Sequence, residues 1–392
     1  PCIFKLVFLE CLSRRVEEGY LLMLIGIPAE IVDGENRVAA TPETVKKFVS
    51  SGLHQVIIQA GAGKKSSFSD EAFVEAGARL VNSAAEVYEQ AELLLKVQSP
   101  EPEEAAQLKR GQVVIGLLQP HNEASIERLT KAGVTGFSME RLPRISRAQS
   151  MDVLSSQANL SGYKAVLMAA NAYPKLMPMM MTAAGTIKAA RVVIMGVGVA
   201  GLQAIATAKR LGAVVEATDV RPDTKEQVES LGAKFIEVPL TDDEQELAKG
   251  EGGYAKEMSD DYKQRQANLI AERLKQADIV ITTALIPGKP APVLVTEEMV
   301  KSMKPGSVIV DMAAEQGGNC PLTQANQISI QHGVTLIGSV NIPSSVASDA
   351  SSLYAKNLLN FLELIINKDN GSFVLNLEDE IVSGTLVSSI SD

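Results

Sequence analysis

The sequence predicts an α/β protein of two doubly wound, parallel-sheet domains separated by a cleft and joined by a long helix. Three observations carry this expectation. Short β-branched apolar runs alternate with stretches of helical period along almost the whole chain. A glycine turn, Gly196-Val197-Gly198-Val199-Ala200-Gly201, joins one such strand to one such helix. At 392 residues the chain suits two domains of ordinary size better than one.

Each element has a local reason. Residues 1–22 start at a proline and run from an apolar front to Arg14, Arg15, Glu17 and Glu18, the reverse of a secretory signal; they read as an upstream extension or expression remnant outside the fold, the alternative being an extra N-terminal helix. Met23 opens the first strand, 24–27. Thr41 and Pro42 supply an N-cap and an N1 proline for a helix to about Ser51, closed by Gly52. Strands follow at 55–59, 93–97 and 112–118, with helices at 69–76 and 123–132 that stop at Gly77 and Gly133. Residues 135–138 read as the last strand of this sheet. A polar loop through Arg144 and Asp152 leads into a helix over 153–172, after which Pro174 opens the way to the second domain.

That domain reads as strands at 191–195, 213–218, 235–238, 278–283, 307–311 and 334–337, with helices after the glycine turn up to Gly212, from Thr224 to Gly232, and over 296–303. Between 241 and 261 the apolar period stops, and acids alternate with Gly250, Gly252 and Gly253. A mobile surface loop with Tyr254 and Met258 near its tip is expected there. The last helix, 352–367, has Leu353, Leu358, Leu359, Leu362 and Ile366 as its buried positions and is expected to return to the first domain. The boundaries are then 23–155 with 346–392, and 156–345. The sequence has no internal repeat.

The glycine turn carries a chemistry. The apolar run 213–218 ends in Asp219, 18 residues past the last glycine of the turn and 23 past the first, the spacing of a dinucleotide fingerprint. Gly196 permits the tight turn, Gly198 lets backbone approach a pyrophosphate, and Gly201 lets the helix pack close to the strand. The helix N-terminus offers N–H groups and partial positive charge to phosphate. Glycine turns of this kind also arise by chance, but the strand before, the helix after and the acid at the next strand end favour a Rossmann-like nucleotide site. Asp219 is expected to accept from ribose hydroxyls and to repel a 2′-phosphate, which favours NAD over NADP.

Composition narrows the function classes. With 46% hydrophobic and 21% charged residues, sizeable cores are expected and disorder is not. The net charge of −10 argues against nucleic acid as a partner, because phosphate backbones need a basic face. Cys2, Cys11 and Cys320 show neither metal-ligand spacing nor a disulfide framework, so no metal is expected and a reducing compartment is. The most apolar long stretch, 165–185, is broken by Pro174, Lys175 and Pro178. No serine-hydrolase, zincin or phosphate-loop motif occurs, and His54, His121 and His332 lie far apart. Hydride transfer between nicotinamides needs none of these, because the cofactors supply the chemistry and the protein supplies position.

Four motifs in order then resemble one family. They are R-I-S-R-A-Q-S-M-D-V-L-S-S-Q-A-N-L-S-G-Y (Arg144 to Tyr163), the fingerprint G-V-G-V-A-G-L-Q-A, T-T-A-L-I-P-G-K-P-A-P (Thr282 to Pro292) and V-D-M-A-A-E-Q-G-G-N (Val310 to Asn319). Together they resemble the NAD(H)-binding component (domain I, alpha subunit) of proton-translocating nicotinamide nucleotide transhydrogenase, from Met23 to the C-terminus. The resemblance implies hydride exchange between NADH and NADP+ coupled to proton movement. It implies a homodimer docked on a membrane proton-channel domain and on a separate NADP(H)-binding domain, at the cytoplasmic or matrix face of an energy-transducing membrane.

Carried over position by position, the resemblance assigns Arg144, Gln149 and Asp152 to the nicotinamide, with Ser155 beside them and Tyr163 on the following helix. By themselves these residues read equally as a solvated polar loop. It assigns Gly196, Gly198, Val199, Gly201, Asp219, Arg221, Gln266, Ala284 and Leu285 to nucleotide binding, and Gly253 and Tyr254 to a loop that closes over it.

The chain also resembles alanine dehydrogenase, through Arg37-Val38-Ala39 and Pro287-Gly288-Lys289. Such an enzyme needs a lysine for the substrate carboxylate and a histidine for acid/base work. Here Gln98 and Gln119 stand at those two positions, so the substrate machinery reads as lost while nucleotide binding is kept. A third reading is an NAD-binding sensor without chemistry, distinguished by whether an NADP(H)-binding partner exists.

Overall fold

The computed structural model describes residues 23–221, 223–238, 260–286 and 288–389. The expectations for 1–22, for the loop up to residue 259 with Gly253 and Tyr254, and for Pro287 fall outside the described residues. The chain forms two compact units, one of the residues through Gln157 with Ser344 onward, the other Ala158–Pro343.

The first unit holds β1 (Met23–Ile27), β2 (His54–Gln59), β3 (Arg79–Val81), β4 (Leu93–Gln98), β5 (Val113–Leu117), β6 (Thr135–Ser138) and, from the far end of the chain, β16 (Leu386–Ser388). Its helices are Pro42–Ser50, Asp70–Glu75, Ala84–Gln90, Pro102–Ala105, Glu123–Ala132, Ala347–Ile365 and Glu380–Thr385, together with the first turn of Val153–Ala172. The strand order is β16–β6–β5–β4–β1–β2–β3, parallel except for β16. Residues 135–138 are therefore not the sheet edge; β16 pairs antiparallel outside them, too short and half-polar to stand out by alternation. Along the central strands successive side chains serve opposite faces. Leu93, Leu95 and Ile115 join one core while Leu94 and Val114 join the other, as a sheet covered on both sides requires.

The caps read from the sequence form as drawn. The Thr41 hydroxyl and the Thr44 side chain make a reciprocal capping box with Pro42 at N1, and Gly133 ends its helix with φ 68°. On the helix Ala347–Ile365 the buried stripe is Tyr354, Leu358, Phe361, Leu362 and Ile365, and Leu353 is exposed. Aromatic anchors set that face: Phe361 meets Phe137 of β6 edge-on, ring centroids 5.4 Å apart.

The second unit holds β7 (Met180–Thr182), β8 (Gly185–Ile187), β9 (Arg191–Met195), β10 (Val214–Thr218), β11 (Lys234–Phe235), β12 (Ile279–Thr282), β13 (Val308–Asp311), β14 (Ile328–Gln331) and β15 (Val334–Ile337). Seven of them form one sheet in the order β11–β10–β9–β12–β13–β15–β14, parallel except for the β14–β15 pair. β7 and β8 make a separate exposed hairpin. The helix Asp260–Gln276, unassigned in the sequence, precedes β12. β11 covers Lys234–Phe235, shorter than the run 235–238 suggested; beyond it Ile236 N–H still donates to the Ala217 carbonyl, and Ile236 and Val238 are buried.

Candidate functional site

In the second unit the glycine turn follows β9, and its three glycines meet three different surroundings. A Cβ on Gly201 would lie 1.9 Å from the Gly196 carbonyl oxygen, and one on Gly196, whose φ is 100°, would lie 2.4 Å from Thr283 Oγ1. Both glycines are therefore demanded by the protein's own packing. A Cβ on Gly198 would meet nothing within 4 Å, so the protein's own packing does not demand a glycine there.

The helix Val199–Arg210 begins there with Gly198 as N-cap, and its first internal bond runs from Leu202 N–H to the Gly198 carbonyl. The N–H groups of Val199, Ala200 and Gly201 consequently have no acceptor within the helix. Bare backbone, unspent N–H donors and a positive helix end fit a pyrophosphate. Sequence reasoning missed one support for this turn. Gly162, inside the helix Val153–Ala172, has a position where a Cβ would come 2.1 Å from the Ala200 carbonyl oxygen. A glycine in a helical run was the available signal.

Asp219 ends β10 as expected, but its carboxylate is already engaged. Oδ2 accepts from Val197 N–H at 2.7 Å and from Arg221 Nη2 at 3.0 Å, while Oδ1 accepts from Arg221 N–H at 2.8 Å and Nε at 2.9 Å. Burial raises its pKa, but the Arg221 and Val197 hydrogen bonds outweigh that, and it lies below the ordinary carboxylate range. The Arg221 side chain is 57% exposed and the Asp219 carboxylate 7%.

After β12, Ala284 is held by both backbone groups: its N–H donates to Asn319 Oδ1 at 3.1 Å and its carbonyl accepts from Asn319 Nδ2 at 2.9 Å. The same fully buried amide donates to the Pro292 carbonyl at 2.8 Å, so Asn319 fixes the segment between them. Leu285 beside it is exposed, and Gln266 is half-buried on the helix Asp260–Gln276. Asn319 closed one of the four motifs, but nothing in its spacing revealed this role.

In the first unit the polar loop is a 3-10 turn, Ser146–Met151, with Ala148 and Met151 buried and Arg144 and Gln149 exposed. Asp152 caps the helix Val153–Ala172: Oδ1 accepts from Ser155 N–H at 2.9 Å and Oδ2 from the Ser155 hydroxyl at 2.6 Å. Arg144, Gln149, Asp152 and Ser155 are neighbours in sequence, and of the four the structure joins Asp152 and Ser155 by hydrogen bonds. Tyr163 lies further along that helix, in the other unit, and is exposed.

The ends of β1 and β4 in this unit hold a buried ionic cluster. Lys96 Nζ donates to Glu104 Oε1 at 2.6 Å and to Glu30 Oε2 at 3.2 Å, and Glu30 also accepts from Val97 N–H at 2.6 Å. Arg37 grips both oxygens of Glu35 through Nε at 2.8 Å and Nη2 at 2.7 Å, and Gln98 Nε2 donates to Glu35 at 2.8 Å. Burial pushes the Glu35 carboxyl up, but the Arg37 bonds and charge, with Gln98, bring it down to about 2. Burial dominates for Glu30, whose pKa is raised despite Lys96. Gln119, with φ 55°, accepts from Asn122 and Ser125 and donates its backbone N–H to Glu140. Among the described residues no group of three or more His, Cys, Asp or Glu could hold a metal ion, and no helix is long and apolar enough to cross a membrane.

A doubly wound sheet with an intact dinucleotide turn defines a nucleotide-binding, dehydrogenase-like protein. The chain belongs to the alanine dehydrogenase/PNT family, whose N-terminal domain matches residues 26–161 and whose C-terminal domain matches residues 165–390. It is 55% identical over 374 residues to the first portion of the NAD(P) transhydrogenase alpha subunit of Rhodospirillum rubrum, covering 93% of this chain and 96% of that protein. A crystal structure of transhydrogenase from Sinorhizobium meliloti superposes with a TM-score of 0.84 at 49% identity, over 94% of this chain and 99% of the other. Alanine dehydrogenase of Bacillus subtilis is more distant, 33% identical over 83% of this chain and 80% of that enzyme. The transhydrogenase alpha subunits, not alanine dehydrogenase, are thus its nearer kin.

Proposed function

We propose that this chain is the NAD(H)-binding component of a proton-translocating transhydrogenase, exchanging hydride with NADP(H) held on a partner domain. The observation that carries the proposal is Gly198: its bare face at a helix N-terminus fits a pyrophosphate, in a chain 55% identical to a transhydrogenase alpha subunit. When bound, the nicotinamide supplies the hydride chemistry, with no acid, base or metal required of the protein.

The chain's own residues bind and orient. Gly196, Gly198, Val199 and Gly201 present the phosphate-binding backbone, and Ala284, Leu285 and Gln266 line the nucleotide. Arg221 swings off Asp219 to free the carboxylate for ribose hydroxyls. Arg144, Asp152 and Ser155 hold the loop, while the Gln149 amide, able to donate and accept at once, fixes a ring carboxamide without adding charge. Gly253 and Tyr254 belong to the closing loop.

The reading against alanine dehydrogenase rests on commitments within the first unit. Lys96 is locked by Glu30 and Glu104, Arg37 by Glu35, and Gln98 and Gln119 stand where that enzyme needs a lysine and a histidine. Homodimer formation is supported by the β7–β8 hairpin, all six of whose strand residues are exposed, with Met181 at 74%. A lone two-stranded hairpin is marginally stable in water by itself, and a second copy of the chain would supply a surface for it to pack on. The remaining partners are the NADP(H)-binding domain and a membrane proton-channel domain, which would bring the chain to the cytoplasmic or matrix face of the membrane.

The deciding experiment mixes the chain with a transhydrogenase NADP(H)-binding domain and follows hydride transfer from NADH to an NADP analogue. Transfer is expected, with no NADH formed from alanine and NAD alone. Steady alanine-dependent NADH production would return the dehydrogenase reading to first place. In equilibrium dialysis NADH should bind and NADPH should not; equal affinities would remove Asp219 from its role.

A further inference from the structure

We infer that Asn357 is a positioning residue for hydride transfer, clamping the stretch that carries Gln149 and Asp152; this rests on the role proposed for that stretch above. Asn357 sits on the buried side of the helix Ala347–Ile365, far along the chain from the loop. Its Nδ2 donates to the Ser150 carbonyl at 2.8 Å, and its Oδ1 accepts from the Ser156 hydroxyl at 2.7 Å. One side-chain amide therefore spans the residue just after Gln149 and the first turn of the helix that Asp152 caps. Both hydrogen-bonding functions of that amide are spent on the span, which fixes its orientation as well as its place.

One helical turn on, Asn360 Nδ2 donates to the same Ser150 carbonyl at 3.0 Å. Two amide donors on one backbone oxygen exceed what a 3-10 turn needs for its own closure. The turn is further tied by Arg147, whose two Nη atoms bind the two Asp379 oxygens at 2.7 and 2.9 Å. The next residue after Ser156, Gln157, accepts from Arg37 Nη1 at 2.9 Å and donates to the Ala350 carbonyl at 3.1 Å. Gln149 is exposed, so no packing of its own holds its Cα, and the ties on either side set where its amide can reach. Asn357 is buried and holds both a carbonyl within the Gln149–Asp152 stretch and the Ser156 hydroxyl beyond it. Reacting centres tolerate little displacement, a shift of about 1 Å costing on the order of 100-fold in rate, which makes such a clamp matter to rate more than to affinity.

The test uses the full chain with an NADP(H)-binding transhydrogenase domain, NADH and an NADP analogue. Asn357→Ala should lower the single-turnover hydride rate at least about tenfold while the NADH dissociation constant stays within about twofold. Asn360→Ala should give a smaller fall, because Asn357 still holds the carbonyl. Asn357→Asp keeps the acceptor for Ser156 but loses the donor to Ser150, and serves where Asn357→Ala fails to fold; it should slow transfer comparably. Hydrogen exchange over residues 146–156 should speed up in the same variants. Faster exchange with an unchanged hydride rate would overturn the inference, as would weakened NADH binding with an unchanged rate. Gln149→Asn, run in parallel, separates the two failures: if it slows transfer and Asn357→Ala does not, the clamp is wrong, whereas if neither does, the loop reading fails and the clamp's catalytic role falls with it.

Discussion

The two units share one topology and use it in opposite ways. Number the parallel strands of each in chain order and both sheets read 3-2-1-4-5-6 with an antiparallel seventh strand beyond the sixth. In such sheets ligands bind beyond the strand ends where the order reverses, between strands 1 and 4. In the second unit that point is β9 beside β12, and backbone is left bare there at Gly198. In the first unit it is β1 beside β4, and Glu30 fills it, accepting from Val97 N–H and Lys96 Nζ. The same crevice is thus bare backbone in one copy of the fold and a buried ionic core in the other. The fold offers a place, and the residue types at strand ends decide whether a ligand or the protein occupies it.

Removing the cation tests the filled crevice most severely. Lys96→Met leaves Glu30 and Glu104 buried without their partner and should cost about 3–5 kcal/mol in urea unfolding. A loss below about 1 kcal/mol would mean the cluster is not what stabilises that end of the sheet.

Acid sharpens the same contrast. Glu35 is depressed to about 2, so its contribution is present above the unfolded carboxyl range and is lost as pH falls from about 4.5 towards 2. It amounts to about 3 kcal/mol for that shift. Glu30, with a raised pKa, works in the opposite sense, its stability lost as pH rises through its folded value. The stability gap between the parent and Glu35→Gln should therefore close on acidification from pH 5 to pH 2.5, and a gap that stays constant would contradict the assigned charge state.

The open crevice is tested by glycines one helical turn apart. Gly201→Ala drives a Cβ into the Gly196 carbonyl and should destabilise by about 1–3 kcal/mol. Gly198→Ala meets nothing, so its melting temperature should match the parent while NADH affinity falls by about tenfold or more. Stability loss at Gly198 with binding intact would erase the distinction between the crevices. The smallest effect is expected at Arg147→Ala. Its pair with Asp379 is half-exposed, and a double-mutant cycle should read little coupling between the two.

The second unit's site was the more legible because it is made of backbone. A strand, three glycines, a helix and an acid are contiguous within 30 residues, and each residue type is forced by local geometry. Gly198 and Asp219 can therefore be named, with their reasons, from the sequence. The first unit's networks include meetings across 66 and 207 residues of chain, as where Glu30 meets Lys96 and Asn357 meets the Ser150 carbonyl. No periodicity encodes such a meeting. Even at the legible site, Arg221 closing on Asp219 did not show, because a carboxylate at a strand end reads the same whether it is open or held.

The sequence by itself determined the alternation of strands and helices, the caps at Thr41 and Gly133, and the fingerprint, since these depend on hydrophobic period, backbone dihedrals and hydrogen bonds within a few residues. Only the tertiary structure decided that two sheets of equal order arise without a sequence repeat, that β16 joins the first sheet's edge, and that one strand-1/strand-4 crevice is filled with charge while the other stays bare. Strand pairing and buried ion pairs are contacts between distant segments, and their energies depend on burial and on partners that the local sequence does not contain.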